Sequence, residues 1–100
     1  MNIGSLYKVK QYFWLLFPTK ATASGVDPAD RAPDEVDVAI VAAAYSKRYN
    51  CEVTYFSPDS IVVFLEEDGK YKNVLTSDGL VGWTCFSENY NHCFEEVKTE

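Results

Sequence analysis

The residues from Leu6 to Lys10 alternate apolar and polar, and from Tyr12 to Phe17 the chain turns apolar on both faces. That change predicts one long strand that begins half exposed and runs into a core. Pro18 ends it, because proline cannot donate a ladder hydrogen bond. Residues 19–34 are rich in Ala, Asp, Pro, Ser and Gly and read as a loop insertion. Within it, Asp27-Pro28-Ala29-Asp30 can cap a single helical turn.

After Asp34 the period changes. Val38, Val41, Ala42 and Tyr45 stand at the i, i+3, i+4, i+7 spacing of one helix face. Glu35 and Asp37 lie in the first turn, Lys47 and Arg48 in the last, and Asn50 can close the end in a left-handed conformation. A helix over 35–48 follows. The β-branched set Val36, Val38, Ile40 and Val41 leaves a strand over 36–43 as the alternative.

The second half consists of short β-rich runs at Cys51–Phe56, Ile61–Glu66, Lys70–Thr76 and Leu80–Phe86. Asp68-Gly69 and Asp78-Gly79 are hairpin steps, since glycine accepts the positive φ that such turns need. The runs predict an antiparallel meander. A loop or single helical turn over 87–92 and a closing strand over 94–97 follow. The fold class is mainly β, in a single domain over 1–100.

The stretch from Pro58 to Val97 resembles the core of an SH3-type domain. The resemblance rests on an acidic turn leading into an apolar strand (Pro58-Asp59-Ser60-Ile61-Val62-Val63-Phe64-Leu65) and on a hairpin that ends in a Gly-Trp step (Asp78-Gly79-Leu80-Val81-Gly82-Trp83). A turn carrying an aromatic (Asn89-Tyr90) and a closing strand (Phe94-Glu95-Glu96-Val97) complete it. It implies a small SH3-like antiparallel barrel of five to six strands with one inserted helix. More loosely, the chain is similar to uncharacterised small proteins of tailed phages. Where peptide-binding members carry an Ala-Leu-Tyr-x-Tyr segment, this chain has Gln11-Tyr12-Phe13-Trp14-Leu15-Leu16-Phe17. Binding of proline motifs is therefore not implied.

Composition narrows the function classes. With 47% hydrophobic and 15% aromatic residues among 100, the chain can bury enough apolar surface to fold alone. A formal charge of -6 disfavours a phosphate backbone as partner. Local basic patches are confined to Lys8 with Lys10 and Lys47 with Arg48, which otherwise read as solvated surface charge. No run approaches the ~18 apolar residues of a membrane span. Three cysteines, an odd count, and no Asn-x-Ser/Thr acceptor point to reduced thiols in a cytoplasm.

Candidate chemistry is sparse. Cys85, His92 and Cys93 could ligate a metal, yet they lack a Cys-x-x-Cys pair and a fourth ligand, so neither metal nor cofactor is expected. His92 and Cys93 could pair as base and nucleophile, but sequence neighbours generally point apart. The carboxylates of Glu66-Glu67 and Glu95-Glu96 read as solvated strand ends. No enzyme is expected.

The aromatic residues remain. Tyr and Trp are enriched on recognition surfaces, and the resemblance places Trp83 and Tyr90 near the face that SH3-like members use. With Tyr55 they form the nominated ligand-binding set, while Trp83 and Phe94 equally suit the core. The expected function is a non-catalytic interaction module for a protein or peptide. The alternative is a structural protein acting through homo-oligomerisation, because the long first strand leaves a poorly protected edge.

Overall fold

A computed structural model describes residues 2–25 and 31–98. In chain order these form β1 (Leu6–Val9), β2 (Phe13–Leu16), α1 (Lys20–Ala23), β3 (Arg31–Ala32), α2 (Glu35–Tyr49), β4 (Thr54–Phe56), β5 (Ile61–Asp68), β6 (Tyr71–Thr76) and β7 (Val81–Cys85). A 3-10 helix (Glu88–Cys93) and β8 (Phe94–Glu96) complete the order. The fold is mainly β, with two antiparallel sheets. The larger has the order β7-β6-β5-β1-β8 and the smaller β3-β2-β4.

The alternation along β2 explains the layers. Trp14 and Leu16 project into one buried cluster with Tyr7, Val9, Val62, Phe64, Val74, Phe86 and Phe94 of the five-stranded sheet and the segments beside it. Leu15 and Phe17 project the other way, into a cluster with Ala32, Val38, Ala42 and Val53. Successive strand residues point to opposite faces, so β2 is a middle layer between the large sheet and α2. That position is why its residues are apolar on both sides.

The single long strand predicted over 6–17 is therefore two strands in two sheets. β1 pairs with β5 and β8, and β2 pairs with β3 and β4. The chain turns between them at Tyr12, whose φ is 66°. A positive φ at tyrosine costs backbone energy, and the packing offsets it. Tyr12 meets the Trp14 ring edge-on at 6.2 Å, and the Arg31 guanidinium lies 4.8 Å from the Tyr12 ring centroid.

The predicted helix is present as α2 and excludes the alternative strand over 36–43. Asp34 caps it, accepting from the Asp37 N–H at 2.8 Å, and Asn50 closes it at φ 51°. Both Asp-Gly steps form turns with positive φ at Gly69 and Gly79, joining β5 to β6 and β6 to β7. The run Cys51–Phe56 leaves this meander, because its strand β4 pairs with β2 in the smaller sheet. The stretch 19–34, expected as a loop, contains α1 and β3. Thr19 and Thr22 close a reciprocal capping box around α1. The helical turn expected at Asp27–Asp30 lies outside the described residues.

Candidate interaction surface

α2 is anchored on one side only. Val38 and Ala42 are buried, and the Tyr45 ring meets Phe17 edge-on at 5.7 Å and stacks on Tyr49 at 5.9 Å. The Ser46 hydroxyl accepts the Val53 N–H at 2.9 Å, which ties the last turns of the helix to the chain entering β4. At the other end, the Tyr55 hydroxyl donates to Glu35 Oε1 at 3.4 Å. The helix is held at both ends and along its inner face.

Its outer face is also apolar. Val36 is 70% exposed and Ile40 63%, and Ala39, Ala43 and Ala44 are exposed beside them. A shallow groove of about 320 Å³ runs along this side between Ile40, Val41, Ala44, Tyr45 and Arg48. Acidic Glu35 and Asp37 mark one end of the face, and basic Lys47 and Arg48 the other. None of these four takes part in the ion pairs found among the described residues, which join Lys8 to Asp59, Lys10 to Glu95 and Lys20 to Asp68. Two of those pairs thus engage the lysines singled out as a basic patch.

The three nominated aromatics fall in different places. Tyr55 and Trp83 pack half-buried against the cluster beneath α2, and Tyr55 also meets the Phe13 ring at 6.1 Å. Tyr90 packs against the other cluster, 6.0 Å from the Trp14 ring, with the Arg31 guanidinium 4.0 Å from its centroid. The outer stripe of α2 was missed because one apolar face satisfied the helix pattern. Its signal was present: Val36, Ile40 and Ala44 repeat at i+4 on the opposite side, more apolar surface than one buried face needs.

His92 and Cys93 come together despite being neighbours, with Cys93 Sγ 3.6 Å from His92 Nε2 and 3.9 Å from Gln11 Oε1. Cys93 is fully buried, and that burial raises its thiol pKa, with Arg31 offsetting part of the effect. A thiol held protonated is a poor nucleophile. Among the described residues, no three His, Cys, Asp or Glu side chains converge as metal ligands. No helix among them is long and apolar enough to cross a membrane. Lys72 is also buried, and its ammonium donates to the Gly69 carbonyl at 2.8 Å and the Phe86 carbonyl at 3.1 Å, and stands 4.5 Å from the Phe86 ring centroid. It is enclosed by backbone and ring, as a structural group is. No family model, no curated protein and no solved structure matches this chain.

Proposed function

We propose that this chain is a non-catalytic interaction module, an SH3-like β scaffold that presents the outer face of α2 to a protein or peptide partner. The observation that carries the reading is the exposure of Val36 and Ile40 one turn apart on a helix whose opposite side is fixed to the core. Single exposed aliphatics are ordinary, but a contiguous apolar stripe bordered by charge marks a surface that another molecule covers. Burying each such side chain is worth about 1.5–3 kcal/mol.

The SH3-like part of the reading draws support from β8 lying beside β1, so that the first and last strands are neighbours, and from the Gly82-Trp83 step within β7. In this reading Tyr55 borders the surface through Glu35, while Trp83 and Tyr90 serve the packing beneath and beside it. The free cysteines Cys51, Cys85 and Cys93 support placement in a reducing cytoplasm.

A photo-cross-linking amino acid in place of Ile40, expressed in cells, tests the reading against the same group in place of exposed Glu67. Discrete protein adducts from position 40 and none from position 67 are expected. Identical background at the two positions would overturn it.

A further inference from the structure

We infer that the occupant of this face is a second copy of the chain, docked with the two α2 helices antiparallel across a two-fold axis; the inference rests on the interaction-surface reading above. A two-fold contact must be complementary to itself when reversed, and α2 meets that condition in shape and in charge. Val36, Ile40, Ala43 and Lys47 lie along the outer stripe, all exposed. Reversing a second helix about the middle of that stripe sets Ile40 opposite Ala43 and Val36 opposite Lys47. The bulky Ile40 then meets the small Ala43, and the stem of Lys47 can lie over Val36 with its ammonium in water. Exposed Ala39 and Ala44 flank the contact and let the helix axes approach to about 8 Å.

The charges choose the direction. Reversal brings the acidic first turn of one copy, with exposed Asp37, to the basic last turn of the other, with exposed Lys47 and Arg48, at both ends of the contact. A parallel arrangement would place like charges together at both ends. A foreign helix of one charge sign would match one end and be repelled at the other. α2 has 15 residues and so spans about 22 Å, a contact of one helix from each copy. The dimer is therefore weak and depends on concentration.

Sedimentation equilibrium of the full chain at low salt, over about 10 μM to 1 mM, reads this out. The unsubstituted chain is expected to move from one chain mass toward two. E35K/D37K makes the whole stripe basic and K47E/R48E makes it acidic, so each alone should lose at least tenfold in association. Their equimolar mixture should regain it as a heterodimer. Ile40→Asp leaves both helix ends intact and should also abolish the dimer, which keeps the test decisive if E35K/D37K weakens the helix start. Circular dichroism confirms that each variant is folded.

A chain that stays monomeric to the highest concentration, or charge variants that associate as the unsubstituted chain does, would overturn the proposal. In either case, discrete heavier adducts at position 40 would leave the interaction reading standing with a different partner. No adducts there would remove both.

Discussion

Phe17 and Trp83 exchange both of their backbone hydrogen bonds, 2.8 Å from the Phe17 N–H to the Trp83 carbonyl and 2.7 Å in return. Phe17 directly follows β2 of the smaller sheet and Trp83 is the centre of β7, so this bridge stitches the two sheets together. It also holds Trp83 over the cluster on which α2 rests. The surface of α2 is thus fixed relative to the large sheet by this bridge together with the packing of Trp14 and Leu16 into the large-sheet cluster.

Gly82 makes that approach possible. A Cβ at this position would lie 2.7 Å from Leu16 Cγ and 2.7 Å from the Phe17 carbonyl oxygen, which is backbone and cannot step aside. Gly82→Ala should therefore destabilise the protein by about 1–3 kcal/mol, measured by urea unfolding. An unchanged midpoint would contradict the close seating of β2 on β7.

The two tryptophans separate core from support. Trp14 is 1% exposed, touches Phe86 and Phe94 with ring centroids 5.3 and 5.2 Å apart, and donates its indole N–H to the Gln11 carbonyl at 2.9 Å. Trp83 is only half-buried. Trp14→Ala should cost about 3–5 kcal/mol and Trp83→Ala clearly less. Equal losses in denaturant unfolding would contradict this division.

Lys72 should make stability depend on pH. Burial lowers its pKa from the ordinary 10.5, with Glu67, Cys85 and Glu88 offsetting part of the effect. The folded state therefore releases this proton at lower pH than the unfolded chain does. Between the two pKa values the unfolded state binds more protons, so stability contributed by this group rises with pH in that window. Lys72→Met keeps the stem and removes the titration. Urea midpoints of both proteins, compared through the alkaline range below the ordinary lysine value of 10.5, should show the parent gaining on the variant. A difference that stays constant with pH would contradict the buried ammonium.

Local chemistry made parts of this fold legible in the sequence. The acidic first turn at Glu35 and Asp37 and the stop at Asn50 bounded α2, and Asp68-Gly69 and Asp78-Gly79 placed the two hairpins, because each acts through its own few residues. The break at Tyr12 was not legible, since tyrosine carries no turn signal and its positive φ is imposed by packing around Arg31 and Trp14. The departure of β4 from the meander was hidden too, as strand pairing depends on partners distant in sequence. For the candidate surface, the inner face of α2 was visible in the spacing of Val38, Val41, Ala42 and Tyr45, and the exposure of the outer one was not. Val36 and Ile40 stood out for their branching, and only the placement of Val38 and Ala42 against β2 turns them outward.

The most direct test of the account is to measure stability and solution mass together for the double variant V36E/I40E. Both substitutions are on the outer face of α2, so denaturant unfolding should stay within about 0.5 kcal/mol of the parent, while light scattering across a concentration series should show association lost. A stability loss of several kcal/mol would mean these residues belong to the core. Unchanged association would mean the face is not the contact surface. Either result contradicts the account.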